Sequence, residues 1–266
     1  MENNQKYVLI TGATSGIGYE LAKLFARDKY NLVNVARSAE ELQTCEAEFI
    51  NYGIEVISIA KDLSVRDQVL ELCEEVRGKG IHIDILVNDA GQGLYGEFKD
   101  TDLERELAII DLNIGATVIL TKHFLQDMVE RNEGKILNLA SIASKLPGPR
   151  QSVYHATKSF ILSFSEALRA ELSETNITVT ALMPGVTDTD FFRKAEMLDS
   201  KAVQDKDAMA DPTDVAKDGY EALMAGKDKV ISGFKNKVQV AASNMMPDST
   251  VADTLKKQQE PVHPDH

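Results

Sequence analysis

Cysteine is nearly absent from this chain, long apolar runs are absent altogether, and positive charge is in deficit. The two cysteines among 266 residues, Cys45 and Cys73, supply no disulfide framework. With no ligand partners nearby they exclude a zinc site too, and both read as reduced side chains on amphipathic helices. None of the histidines has metal-ligand spacing, so no metal is expected. No stretch approaches the roughly 20 apolar residues of a spanning helix. The opening Met1-Glu2-Asn3-Asn4-Gln5-Lys6 runs into Tyr7-Val8-Leu9-Ile10 without a basic region, a long apolar region or a cleavage site. The expectation is a cytoplasmic protein with no membrane span. Forty-two acidic residues against 29 basic ones give a formal charge of −13, which argues against a nucleic-acid partner because such a surface repels phosphates on average. A phosphate-bearing ligand must then be held locally.

What is present is a regular alternation. Short runs rich in Val, Ile and Leu, at 6–11, 31–36, 54–60, 83–87, 135–139, 177–182 and 229–232, alternate with longer segments of helical period. Strands that are apolar on both faces and separated by helices predict an α/β, three-layer doubly wound fold of Rossmann type around a seven-stranded parallel sheet, with ligands at the carboxyl ends of the strands. Residues 1–240 read as a single domain of this kind, and 241–266 as a carboxyl-terminal extension whose last residues are expected to be disordered. Ser38 and Glu41 fit a capping box ahead of one helix, and Gly53 ends it. From 188 to 212 the pattern dissolves into mixed charged and apolar residues, as expected of a substrate lid.

The first strand runs into Gly12, Thr14, Ser15, Gly16, Ile17 and Gly18, spaced G-x-x-x-G-x-G. Such a turn lets backbone approach a pyrophosphate at a helix N-terminus. The second strand ends in Val35-Ala36-Arg37-Ser38, where a carboxylate would bind the ribose 2′-hydroxyl of NAD. Arginine there pairs with a 2′-phosphate instead, which favours NADP(H) over NAD(H), the alternative being a merely solvated Arg37. Asp62 and Leu63 are placed to meet the adenine, although Asp62 could equally cap the next helix. Asn88, Ala90 and Gly91 end the fourth strand beside the same groove.

Tyr154 and Lys158 are four residues apart on a predicted helix, with Ser141 thirteen positions before Tyr154. An i, i+4 pair puts phenol and ammonium on one face, where the positive charge favours phenolate and lowers a pKa that is normally about 10. Taken singly, each residue has a bland reading: a packed tyrosine, a solvated lysine, a loop serine. The joint spacing points to acid/base chemistry.

Together these motifs resemble the short-chain dehydrogenase/reductase superfamily over roughly 6–232. T-G-x-x-x-G-I-G, Asn-x-Ala-Gly, Ser-x12-Tyr-x3-Lys and Pro-Gly occur in order. The resemblance implies an oxidoreductase moving a hydride between NADP(H) and a small carbonyl or alcohol substrate. Asn113, Ser141, Tyr154 and Lys158 would be the catalytic tetrad, with Tyr154 as general acid/base, Lys158 also on the nicotinamide ribose, and Asn113 holding a water that links Lys158 to solvent. Pro184, Gly185, Thr187 and Thr189 would border the nicotinamide carboxamide. Asp89 replaces a frequent second Asn and is expected to alter local hydrogen bonding. Leu94, Tyr95, Phe191 and Phe192, with Ser141, are candidate substrate contacts, although the two phenylalanines could equally pack in the core. The resemblance also implies a homodimer or homotetramer. An NAD-dependent dehydrogenase and a non-catalytic dinucleotide sensor are the competing readings.

Overall fold

The structure, a computed structural model, describes residues 6–205, 209–243 and 245–263. The chain alternates β1 (Tyr7–Thr11), α1 (Gly16–Arg27), β2 (Asn31–Ala36), α2 (Ala39–Phe49), β3 (Val56–Ala60), α3 (Arg66–Gly78) and β4 (Ile83–Asn88). Then follow α4 (Leu103–Ile110), a wider π-helical stretch (Asp111–Ala116), α5 (Thr117–Arg131), β5 (Gly134–Leu139), α6 (Ser152–Glu171) and β6 (Ile177–Met183). The last elements are the short α7 (Phe191–Lys194), α8 (Pro212–Met224), β7 (Lys229–Ile231), α9 (Phe234–Ser243) and α10 (Asp248–Gln258).

The sheet has seven strands in the order β3-β2-β1-β4-β5-β6-β7, and every pairing is parallel. The strand order reverses between β1 and β4, which opens a crevice at their carboxyl ends. Because the strands are covered on both sides, their side chains divide into two cores. Val8, Ile10 and Leu32 pack with Leu21 and Phe25 of α1, Phe49 of α2 and Leu223 of α8. Leu9, Val33 and Leu86 pack with Leu72 of α3 and with Leu120, Phe124 and Met128 of α5. The strands lie where the apolar runs place them, to within two residues. Cys45 and Cys73 are buried free thiols.

One expectation needs refinement. The continuous helix from Leu103 to Arg131 is long and apolar enough, by length and composition, to cross a membrane. Its inner face instead packs on the sheet through Leu120, Phe124 and Met128.

A buried amide network ties the crevice end of the sheet together. Asn88 Nδ2 donates to Asn138 Oδ1 at 2.8 Å and to Thr121 Oγ1 at 3.1 Å, and Asn138 Nδ2 donates to Ser165 Oγ at 2.9 Å. This joins β4, β5, α5 and α6. The network uses the Asn88 side chain inside the fold, not in the groove where it was expected. Asn138→Ala strands these donors and acceptors without solvent, so it should cost about 1–3 kcal/mol in urea unfolding; an unchanged midpoint would remove the network from the account.

Candidate active site

The carboxyl ends of the strands open onto a cavity of about 1040 Å³. After β1 the chain turns at Gly12 (φ +74°) and enters α1 at Gly16 (φ +57°), a left-handed backbone that glycine adopts without strain. A Cβ on Gly12 would lie 2.9 Å from Asp89 Oδ2, and one on Gly18 2.5 Å from the same atom. Ser15, the N-cap of α1, makes no side-chain cap bond, and the first turn holds no acidic residue. The helix therefore presents N–H groups to an anion. Gly12, Thr14, Ser15, Gly16 and Ile17 line the cavity; Gly18 lies behind it, its backbone bonded to Asp89.

Arg37 and Ser38 line the cavity beyond β2, and Arg37 makes no ion pair among the described residues. Only half of the capping box forms. Ser38 Oγ accepts from Glu41 N at 3.2 Å, while the Glu41 carboxylate accepts from Thr14 Oγ1 at 3.0 Å. Asp62 and Leu63 border the same wall. Asp62 Oδ1 accepts from Ser64 N and Oγ, and Val65, not Asp62, is the N-cap of α3. Ala90 and Gly91 line the middle of the cavity, and Pro184, Gly185, Thr187 and Thr189 its far side. Thr187 Oγ1 is turned back to Gly185 O at 3.1 Å. Thr189 reaches across to the glycine turn, its Cγ2 standing 2.9 Å from where a Gly16 Cβ would be.

At the reacting end, Ser141 follows β5, and Tyr154 and Lys158 line the cavity one turn apart on α6. Burial pushes the Tyr154 phenol up to about 12, and the hydroxyl of Ser141, hydrogen-bonded to it, pulls the other way. The Lys158 ammonium donates to Leu139 O at 2.7 Å and lies 5.8 Å from the Tyr154 ring centroid. Burial brings its pKa down to about 8, opposed by the charge of Asp89. The expected arrangement, with Lys158 drawing the phenol pKa down, is thus corrected. The ammonium is spent on a backbone carbonyl and sits over the ring face, while desolvation dominates at the oxygen.

The Asn113 side chain is engaged within the fold. Its Oδ1 accepts from Gln92 N at 2.9 Å, and its Nδ2 donates to Gln92 O and Thr157 Oγ1. Both amide hydrogens are used, so the side chain braces the loop after β4 against α6. The π-helical stretch turns it inward for this bond set.

A family model described as short chain dehydrogenase matches residues 6–198. The chain belongs to that family. It is 32% identical over 240 residues to dehydrogenase/reductase SDR family member 7B of Danio rerio, covering 86% of this chain and 78% of that protein. Among solved structures it is similar to a short-chain dehydrogenase from Sphingobium yanoikuyae in complex with NADPH (TM-score 0.79, 28% identity, 91% of this chain and 94% of the other). It is also similar to L-sorbose reductase from Gluconobacter frateurii complexed with NADPH and L-sorbose (TM-score 0.76, 27% identity, 86% and 96%). The protein is a short-chain dehydrogenase/reductase, an oxidoreductase.

One part of this dehydrogenase was not foreseen. Among the sequence-derived substrate candidates, Phe191 and Phe192 line the cavity, and the Phe191 ring lies 5.1 Å from that of Tyr154. Leu94 is buried off the cavity wall, and Tyr95 packs behind it against the cluster of Ala195, Met197 and Val203. The carboxyl-terminal segment, read from sequence only as an extension of the domain, covers this chain's own cavity. Val251 and Leu255 of α10 pack on Leu146, Tyr95 Oη donates to Gln259 O at 2.5 Å, and Pro261 bridges to Ser200. The signal was its i, i+4 pair Val251 and Leu255. The expectation of disorder falls on 264–266, outside the described residues.

Asp89, expected to alter local hydrogen bonding, also carries a shifted carboxyl. Burial raises its carboxyl to about 7, against the pull of Lys158. A carboxyl whose folded pKa lies above its unfolded value opposes folding once it ionises, a penalty absent at low pH that grows up to about 7. Asp89→Asn should therefore gain clearly more stability over the parent at about pH 8.5 than at about pH 5. Urea midpoints at the two pH values check this, and an equal gain at both would contradict it.

Proposed function

We propose that this short-chain dehydrogenase is an NADPH-dependent reductase of an aldehyde or ketone, with Tyr154 as proton donor. The observation that carries the proposal is the phenol of Tyr154, half-buried in the cavity wall with Ser141 lining the same end. The cradle fits a dinucleotide: the glycine turn has no room for a Cβ beside Asp89, and the start of α1 is uncapped by side chains. Gly12 to Ile17 would hold the pyrophosphate, Asp62 and Leu63 the adenine side, Ala90 and Gly91 the middle, and Pro184, Gly185 and Thr189 the nicotinamide end. Arg37, without a carboxylate partner, would take a 2′-phosphate. Similarity to chains solved with NADPH supports the same preference.

The bound nicotinamide supplies the hydride. As the carbonyl carbon gains it, the oxygen gains negative charge, and Tyr154 Oη passes its proton to that oxygen while Ser141 Oγ orients it by a hydrogen bond. A phenol with a pKa of about 12 is fully protonated at neutral pH and still a stronger acid than an alcohol. Lys158, held on Leu139 O, places positive charge under the phenol ring and within reach of a ribose. Phe191 and Phe192 shield the reacting end from water.

Leu103, Leu107 and Ile110 form an exposed stripe along α4, and Phe160 of α6 is exposed too. They support a homo-oligomer built on these helices.

Tyr154→Phe should lower kcat/KM for ketone reduction by at least about 10³-fold and leave NADPH binding by fluorescence titration within about threefold. Retained turnover would remove the proton donor from the proposal. Arg37→Asp should reverse the preference between NADPH and NADH by about 10²-fold or more, because it replaces a phosphate partner with a like charge. An unchanged ratio would mean that Arg37 does not meet the cofactor.

A further inference from the structure

Gln151 is the N-cap of α6, one turn before Tyr154, and Gln259 follows α10 in the carboxyl-terminal segment. Both line the same cavity, yet they are only 5% and 6% exposed. Gln259 Nε2 lies 3.5 Å from Gln151 Oε1, a long hydrogen bond. The other two atoms, Gln151 Nε2 and Gln259 Oε1, have no partner among the described residues. If both amides were turned over, the free atoms would be Gln151 Oε1 and Gln259 Nε2, so one donor and one acceptor stand unsatisfied in either arrangement.

Buried amide groups without partners cost stability unless something supplies the missing bonds. These two lie at the reacting end. A Cβ built on Gly93 would be 3.4 Å from Gln151 Nε2, 3.4 Å from Tyr154 Cδ2 and 2.8 Å from Phe191 Cζ. The pair is held in place from behind: Tyr95 Oη bonds to Gln259 O, and Arg150 Nη1 donates to Lys256 O at 3.2 Å. The walls beside it, Leu146, Phe191, Met197 and Leu255 among them, are apolar.

We infer that Gln151 and Gln259 are a specificity pair for a neutral substrate group that both donates and accepts a hydrogen bond, a hydroxyl or a carboxamide, carried on an apolar body beyond the reacting carbonyl. A carboxylate satisfies the free N–H and leaves the free C=O facing negative charge; an ammonium satisfies the C=O and has nothing for the N–H. Only a group with both capacities completes the pair. The carboxyl-terminal segment is then a substrate-recognition element, since it contributes Gln259. The inference rests on the reductase reading and names the substrate class for that site.

The test compares acetophenone with its meta-hydroxy, meta-carboxamido and meta-carboxylate derivatives, using the full-length protein and NADPH. The meta-hydroxy or the meta-carboxamido ketone should exceed both acetophenone and the carboxylate by about tenfold or more in kcat/KM, chiefly through KM, as expected where buried polar groups would otherwise stay unpaired. Gln151→Met, which leaves the carboxyl-terminal segment untouched, and Gln259→Met should each bring the ratio to acetophenone close to one. Equal turnover of all four ketones by the parent, or a ratio unmoved in both variants, would overturn the inference. If no ketone is reduced, the reductase reading fails, and calorimetric binding of meta-hydroxyacetophenone and acetophenone to the NADPH-saturated protein still decides the pair. A gap in Kd that both variants abolish supports it, and no gap overturns it.

Discussion

The site depends on keeping one amine charged where there is little water to solvate it. Lys158 is buried beneath the loop that follows β4; its pKa falls to about 8, and a backbone carbonyl and the carboxyl of Asp89 supply what support it has. Asp89 is in turn wedged between Gly12 and Gly18, so the residue whose charge supports the amine also shapes the turn proposed to receive a phosphate. Electrostatics at the reacting end and backbone geometry at the cofactor end are therefore one construction. The Asn88–Asn138–Ser165 network beneath and the Asn113 brace above fix the strand ends and the helix that carry it. The functional roles built on this frame are those proposed for the reductase.

Most of the architecture was legible because parallel strands buried on both faces leave an unmistakable alternation of β-branched runs and amphipathic helices. The topology needed only that alternation and the glycine turn. Less legible was anything decided by side-chain direction. Asn88 sits at the expected position in the chain, but its amide faces Asn138 and Thr121, because the last strand residue points into the sheet layer and not into the crevice. Leu94 and Tyr95 lie in the loop after β4, which buries Leu94 and packs Tyr95 against Ala195, Met197 and Val203. The order of Tyr154 and Lys158 along α6 was plain, whereas the effect of one on the other was not: spacing conveys proximity, and desolvation, which dominates here, depends on the depth of burial.

The carboxyl-terminal segment illustrates a different limit. Its apolar content is low, and a count of apolar residues makes it an unattached tail. Two apolar residues one turn apart on α10, four hydrogen bonds to backbone carbonyls and a bridge to Ser200 attach it nonetheless, because most of its fastening is polar. It brings to the cavity a side chain that no motif marks. Family motifs identify the chemistry, and regions outside them complete the cavity wall.

The most direct test of the buried amine is the pH dependence of kcat/KM for NADPH, measured at saturating ketone, since this parameter reports the ionisations of the free enzyme. Tyr154 stays protonated throughout the accessible range, so Lys158 should control the high-pH limb. The account predicts a plateau that declines above about pH 8 by about tenfold per unit as the ammonium is lost, with the decline beginning at lower pH when Asp89 no longer supports the charge. A profile flat to about pH 10, or one that rises with pH, would contradict it.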